Sequence, residues 1–267
     1  MRTRIVFHLW NKGGYVPFHH QYLLAQLVKG VNLKGNKKEF EDFTFYNFSG
    51  LKGQTQVSRK GLHFYSNKVT LVFSCSNGEF VDYFLDNLFT IEEFELGTLR
   101  LSPELVEKEQ PLNFEEETKY ICISPIVPKK PELLDSFSKN FINPEEDSFS
   151  DLIYESTMRR MEKFGAYSAK DIRSFYKFQL VPDKDYLHKL YINKKKFARI
   201  YPVYDKDVKY EVRGYTFPFT LYAHPKVQQF IFNNGLGAFC HKGFGMLDIA
   251  NSDPSKRIIT RKSREFA

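Results

Sequence analysis

Residues 235–246 read Gly-Leu-Gly-Ala-Phe-Cys-His-Lys-Gly-Phe-Gly-Met, and this stretch is the strongest guide to the fold. An amphipathic stretch, 225–233, precedes it, and a short apolar run, 244–249, overlaps its end. That order predicts a helix, a glycine-rich loop and a last strand. Because glycine adopts positive φ, successive N–H groups of the loop can face a phosphate. The alternative is a tight helix-to-strand turn, for which one or two glycines suffice.

The loop does not match a nucleotide-binding fingerprint. It precedes the last strand, and no Gly-Lys-Ser/Thr or Gly-x-Gly-x-x-Gly motif follows an early strand. Both a P-loop and a Rossmann site need such a motif directly after a strand. The sequence therefore excludes these two classes and keeps phosphate or RNA contact open.

The composition is basic and unusually aromatic. The 267 residues include 39 Lys and Arg against 32 Asp and Glu, a net charge of +7, together with 27 Phe and 16 Tyr. This length suits one large domain or two modest ones. Cations bind phosphates and aromatic rings stack on unpaired bases, so the composition favours an RNA partner. Most of the rings must nevertheless fill hydrophobic cores.

The cysteines and the apolar runs indicate the cellular compartment of the protein. Cys75, Cys122 and Cys240 lie far apart, and their odd number argues against a disulfide framework. The N-terminal apolar run is too short for a signal peptide, and no segment approaches a membrane span of ~20 apolar residues. We expect a soluble, cytoplasmic protein with no membrane partner, no metal site and no cofactor.

The hydrophobic pattern of the first half predicts a βαββαβ unit. The predicted strands are 3–10, 43–48, 62–74 and 94–101, and the predicted helices are 17–31 and 80–89. The first helix carries an apolar stripe at helical spacing, made of Leu23, Leu24, Leu27, Val28 and Val31.

The same order then repeats. A strand at 120–127, a helix at 149–164, two or three strands within 172–222, a helix at 225–233 and a strand at 244–249 complete a second unit, and 128–144 is predicted to be an irregular loop. The fold class is therefore α+β, with two tandem ferredoxin-like (RRM-like) domains and a C-terminal glycine-rich loop. We predict domains at residues 1–110 and 118–250, and a basic tail at 251–267.

Several segments resemble one family in order along residues 1–249. They are Val16 to Leu24 at the first helix, Phe43-Thr44-Phe45, Ser124-Pro125-Ile126, Gly214, Phe219-Thr220-Leu221 and the glycine-rich loop. Together they resemble the CRISPR-associated endoribonucleases of the RAMP superfamily, which cut precursor CRISPR RNA within its repeats. The resemblance implies repeat RNA, precursor and mature, as the partner, held between the two domains and cut without a metal. It leaves open a homodimer and association with CRISPR effector subunits.

The implied reaction needs only protein groups. A ribose 2′-OH attacks the adjacent phosphate and leaves a 2′,3′-cyclic phosphate and a 5′-OH. This reaction requires a base, an acid and a cation near the developing charge. Many family members place a catalytic histidine between the first helix and the next strand, but residues 32–42 of this chain contain none.

The catalytic candidates therefore lie elsewhere in the first domain. His19 and His20 stand at the predicted start of the first helix, where the helix dipole disfavours the imidazolium and so favours a base. The alternative is that one of them caps the helix and has no catalytic role. Tyr46 and Lys52 are candidates for stabilising the phosphate.

The RNA-binding candidates are basic or lie in the glycine-rich loop. Lys29 stands where some members carry a catalytic tyrosine. The full set is Lys29, Lys194, Lys195, Lys196, Gly235, Gly237, His241, Lys242, Gly243 and Gly245. For the three consecutive lysines, a solvated turn is an equal alternative. The rival function is a catalytically inactive subunit of the same fold that binds repeat or guide RNA.

Overall fold

The computed structural model describes residues 1–128, 140–205 and 208–263 of the chain. In its first half the strands are β1 (Arg2–Leu9), β2 (Tyr15–Val16), β3 (Tyr46–Phe48), β4 (Thr55–Ser58), β5 (Gly61–Phe64), β6 (Lys68–Cys75), β7 (Phe94–Leu96) and β8 (Leu99–Glu109), with helices α1 (Gln21–Lys34) and α2 (Gly78–Phe89). In its second half the strands are β9 (Glu117–Cys122), β10 (Phe178–Pro182), β11 (Ala198–Asp205), β12 (Val208–Tyr215), β13 (Phe219–Ala223), β14 (Leu247–Ile249) and β15 (Ile258–Ser263), with helices α3 (Asp147–Phe164), α4 (Ala169–Ser174), α5 (Lys184–Ile192) and α6 (Pro225–Asn234).

The chain divides into two compact units. Unit 1 contains Met1–Pro111, His241–Gly243 and the residues from Asp253 onward, and unit 2 contains Leu112–Cys240 and Phe244–Ser252. Within the described residues, we find no helix with the length and apolar character that crossing a membrane requires.

Unit 1 is an antiparallel sheet covered by two helices. The sheet order is β15-β8-β1-β6-β3, and β7 pairs with β8. Four of these strands, β8-β1-β6-β3, are the fourth, first, third and second strands of a ferredoxin-like unit. The stripe predicted for α1 faces the core, where Leu24 and Val28 are fully buried. The ring of Phe84 from α2 stacks on that of Phe73 from β6 at 4.3 Å.

Unit 2 repeats the arrangement. Its sheet order is β10-β13-β9-β14, which again places the fourth strand beside the first and the third beside the second. Helix α6 is tied to this sheet because the Tyr120 hydroxyl donates to Gln228 Oε1 at 2.8 Å. The Gln228 amide in turn donates to the Leu221 carbonyl at 2.9 Å. The tandem ferredoxin-like fold is therefore confirmed.

Several predicted strands are shorter or differently placed than expected. Residues 62–74 form two strands, β5 and β6, separated by a turn. Residues 94–101 form a hairpin around Gly97, whose φ is 63°. Strand β8 continues through Pro103, which lies opposite Phe7 where the register with β1 shifts. Such an irregularity tolerates a residue that lacks an N–H, so proline does not end the strand here.

Two other stretches also differ from the prediction. The region 172–222 includes α5, which begins at Lys184 and is capped by Asp183, whose side chain accepts from the Tyr186 N–H. The predicted basic tail includes β15, which pairs antiparallel with β8. Its attachment is electrostatic as well, because buried Arg257 donates from Nε to Glu109 at 3.0 Å. Of the predicted loop 128–144, residues 129–139 lie outside the described part of the chain, as do residues 264–267 of the tail.

Candidate nucleic-acid interface

The glycine-rich loop needs its glycines for its own backbone. All four have positive φ, between 70° and 85°. A Cβ at Gly237 would lie 2.4 Å from the Val127 carbonyl oxygen, and one at Gly245 would lie 1.9 Å from that of Leu236. No L side chain fits such an approach, so the sequence is dictated by packing at these positions.

The N–H groups of the loop are largely used within unit 2. Leu236 donates to the carbonyl of Gly245, Ala238 to that of Val127, and Gly245 to that of Pro125. These three N–H groups are therefore not directed at a ligand.

Arg160 of α3 holds the start of the loop. Its Nη1 donates to the carbonyl oxygens of Gly235 at 2.6 Å and Gly237 at 3.3 Å, and its Nη2 donates to that of Asn234. The guanidinium also lies 5.4 Å from the centre of the Phe230 ring. Sequence reasoning missed this residue, because nothing in the α3 pattern marks an arginine that caps carbonyls about 75 positions later.

His241 and Lys242 are the loop residues whose side chains reach solvent. They are half-buried, and they lie in a 3-10 turn, Cys240–Lys242. With Gly243 they belong to unit 1, where Gly243 packs on the ring of Phe48 so closely that a Cβ would lie 2.5 Å from it. Any contact between the loop and RNA therefore depends on these two side chains more than on the glycines.

His20 is buried at the start of α1, and both of its ring nitrogens are occupied. Nδ1 lies 3.1 Å from the Pro17 carbonyl oxygen, and Nε2 accepts from the Leu51 N–H at 3.1 Å. A carbonyl can only accept, so the proton is on Nδ1. Burial lowers the pKa of His20, with the charge of the adjacent His19 acting in the same direction. The ring is neutral, and its lone pair is held by a backbone donor.

The other catalytic candidates occupy three different environments. Tyr46 is 5% exposed, and its ring stacks on those of Phe73 and Phe80 at 5.6 and 5.3 Å. Burial raises the pKa of its phenol, so this side chain belongs to the core. Lys52 is exposed, on a backbone bridge to Thr70, and His19 is half-buried.

Lys29 is exposed on α1. The structure therefore leaves His19, Lys29 and Lys52 at solvent-accessible positions in unit 1 and removes Tyr46 from the surface.

A basic groove runs along the β11–β12 hairpin and α5 of unit 2. It encloses about 1290 Å³, and its lining includes five cations and several rings: Lys194, Lys195, Lys196, Arg199, Arg213, Phe141, Tyr186, Phe197 and Tyr201. The described residues that line it include no carboxylate. The predicted lysine run thus lies in a cationic cavity.

Aromatic side chains are interleaved with the cations of this basic groove. Phe141 is 53% exposed, and its ring lies 6.0 Å from both the Arg213 guanidinium and the Phe197 ring. Arg213 and Phe141 are absent from the sequence-based set, because they reach the groove from β12 and from the segment before α3. Exposed rings beside cations suit unpaired bases joined by phosphates.

The chain is similar to known proteins in family and in fold. The family model "CRISPR associated protein Cas6, C-terminal" matches residues 106–249. The fold is similar to that of a Cas6-related gene product from Pyrococcus furiosus, at a TM-score of 0.77 and 18% identity, over 95% of this chain and 99% of the other. It is also similar to a solved CRISPR-associated protein Cas6, at 0.72 and 18%, over 93% and 98%.

A third similar structure is a RAMP protein described as binding different RNA substrates, at a TM-score of 0.75 and 16% identity, over 93% and 99% of the two chains. No curated protein matches the chain in sequence.

Proposed function

This chain belongs to the Cas6 family of CRISPR-associated proteins, and from that premise we propose that it binds the repeats of precursor CRISPR RNA and cuts within them. The observation that carries the proposal is the basic groove of unit 2. It combines five cations with exposed rings in one cavity large enough for several nucleotides. A metabolite pocket would need an enclosed apolar lining with few polar groups, which is not what this groove offers.

The groove has the properties that RNA binding requires. Its lysines and arginines neutralise phosphates, which supplies affinity that is independent of sequence. Its rings offer faces on which unpaired bases stack. The RAMP protein of similar fold, described as binding different RNA substrates, supports the same function for this chain.

The proposed chemistry is attack of a ribose 2′-OH on the adjacent phosphate. It gives a 2′,3′-cyclic phosphate and a 5′-OH, and it requires no metal because side chains can supply the base and the positive charge. His19, Lys29 and Lys52 of unit 1, and His241 and Lys242 of the loop, are the earlier candidates that remain accessible to RNA.

A second candidate function is binding without cleavage. It is favoured by the positions of two predicted catalytic side chains. The lone pair of His20 accepts from a backbone N–H, and Tyr46 lies in the core. A protein that has kept the fold and lost its base would bind the repeat and leave it intact.

One experiment separates the two. The protein is incubated with end-labelled repeat RNA, transcribed from a CRISPR array of the same genome, in EDTA, and both binding and cleavage are followed. A scrambled RNA of the same length and composition is the control. A single cut in the repeat supports the processing function, and tight binding without a cut supports the second candidate. Equal binding of both RNAs without a cut would refute both.

A further inference from the structure

A serine and a histidine face each other on the small sheet of unit 1. This sheet has the order β2-β5-β4. Ser58 ends β4 and His63 lies in the adjacent strand β5, so the two side chains are joined across the hairpin turn. Ser58 Oγ lies 2.8 Å from His63 Nε2, and His63 Nδ1 lies 2.8 Å from the Gly13 carbonyl oxygen. A third bond joins the Lys60 backbone N–H to Ser58 Oγ at 3.0 Å.

Two of these three bonds have a fixed direction. The Gly13 carbonyl can only accept, so His63 Nδ1 carries a proton and donates it. The Lys60 N–H can only donate, so it occupies a lone pair of Ser58 Oγ. When the His63 ring is neutral, its Nε2 lone pair therefore faces the Ser58 hydroxyl, which donates to it. In this form His63 is oriented by a backbone carbonyl, and its basic lone pair is covered by a hydroxyl.

This arrangement differs from that of His20 in how easily the lone pair of the imidazole becomes accessible, which is the property that a base needs. The lone pair of His20 accepts from the Leu51 N–H, which cannot leave unless the backbone moves. The lone pair of His63 is covered by a side-chain hydroxyl, whose oxygen moves away when Ser58 rotates about its Cα–Cβ bond and gives up the bond from the Lys60 N–H in the exposed turn. His63 is also half-buried, whereas His20 is 4% exposed. A substrate hydroxyl can replace that of Ser58 without disturbing the fold.

Positive charge lies beside this pair. Arg59 and Lys60 form the exposed turn between β4 and β5, and the hairpin from Thr55 to Phe64 contains no acidic residue. The Lys60 ammonium lies 5.9 Å from the centre of the Tyr15 ring, which in turn lies 5.2 Å from the His63 ring. A base and two cations within one hairpin are what cleavage of a phosphodiester needs.

We propose that His63 is the general base of this protein for RNA cleavage, with Ser58 covering its lone pair in the free protein and Arg59 and Lys60 binding the phosphate. The inference rests on the proposed cutting of repeat RNA. The 2′-OH proton passes to His63 Nε2 as the O2′–P bond forms. The P–O5′ bond breaks, its electron pair stays on the 5′ oxygen, and that oxygen takes a proton from water. The imidazolium then returns its proton to solvent.

The test is single-turnover cleavage of the repeat RNA in EDTA by the unmodified protein, His63→Ala, Ser58→Ala and, as a matched control, His8→Ala. His8 is a half-buried histidine of unit 1 whose ring contacts Trp10 edge-on at 4.5 Å. We expect His63→Ala to cut ~10²-fold more slowly or worse, with RNA affinity unchanged, because that is the usual contribution of a positioned base. Added imidazole should restore part of the rate of His63→Ala, and His8→Ala should cut normally. Ser58→Ala should lose far less rate than His63→Ala, because the hydroxyl covers the base and takes no part in the bond changes.

Different failures have different meanings. Normal cutting by His63→Ala would overturn the assignment and leave the proposed function standing. A loss that imidazole does not restore would also overturn it, and so would an equal loss in Ser58→Ala, which would point to serine as a nucleophile. If the unmodified protein binds the repeat and does not cut it, both this inference and the cutting function are refuted.

Discussion

Replacing Lys194, Lys195 and Lys196 together by glutamine should weaken RNA binding and make it less dependent on salt. Glutamine keeps most of the side-chain length and removes the charge. Lys194 has a φ of 52°, a conformation that glutamine and lysine tolerate equally, so the turn should keep its stability. The folded state of the variant is checked by its thermal unfolding midpoint.

The magnitude follows from counterion release. If each lysine neutralises one phosphate, the slope of log K against log salt should become shallower by about 2.1 for a single strand and about 2.7 for a duplex. Extrapolated from about 1 M to about 0.15 M salt, this change in slope corresponds to a ~50- to 170-fold loss of affinity. The loss should shrink as the salt concentration rises.

The assay is fluorescence anisotropy of labelled repeat RNA at several salt concentrations. The control is the variant Lys12→Gln, Lys34→Gln, Lys256→Gln, which removes the same charge from three exposed sites outside the basic groove. We expect the control to lose only the small part of affinity that comes from net charge. If the two variants lose affinity equally, or if the salt slope of the groove variant is unchanged, the groove does not bind the phosphates.

Three further predictions concern stability and are read by urea denaturation. Gly245→Ala should lower the free energy of unfolding by about 3 kcal/mol or more, because its Cβ would lie 1.9 Å from a backbone oxygen. Gly165→Ala, with φ 77° and no atom within 4 Å of its Cβ, should lower it by about 1 kcal/mol. Equal losses in the two variants would contradict this. Because burial lowers the pKa of His20 in the folded state, the unfolding free energy should fall as pH drops below about 6.5, by up to about 1.4 kcal/mol per pH unit, and His20→Asn should flatten that slope. Glu109→Gln should lower the free energy of unfolding by about 3 kcal/mol, because it leaves Arg257 buried without its carboxylate partner. A loss near zero would refute the stabilising role of this ion pair.

Periodic patterns predicted the architecture well. The stripe of α1 is a direct example, since Leu24, Val28 and Val31 are all buried in unit 1. An amphipathic helix buries its apolar face whatever it packs against, so the buried face can be predicted from a single sequence. The glycine-rich loop was located correctly for the same local reason.

The roles of individual polar residues were harder to predict, because their partners are distant in sequence. His63 gave no sequence signal, and its orienting carbonyl belongs to Gly13, fifty positions away. Arg257, which directly precedes β15, pairs with Glu109, 148 positions away. His20 was a candidate base because of its place at a helix start, and the backbone donor that its ring accepts from, Leu51, lies 31 positions away.

The most direct test of the central claim, that this protein cuts CRISPR repeat RNA by 2′-OH attack, uses a single-atom change in the substrate. The cut site is first mapped in EDTA, and the repeat is then made with a 2′-deoxyribose on the 5′ side of that site. We predict that the natural repeat yields one cut with a 2′,3′-cyclic phosphate and a 5′-OH, and that the deoxy repeat binds equally and stays intact. Cleavage of the deoxy repeat at the same position would contradict the mechanism, and the absence of a cut in the natural repeat would contradict the function.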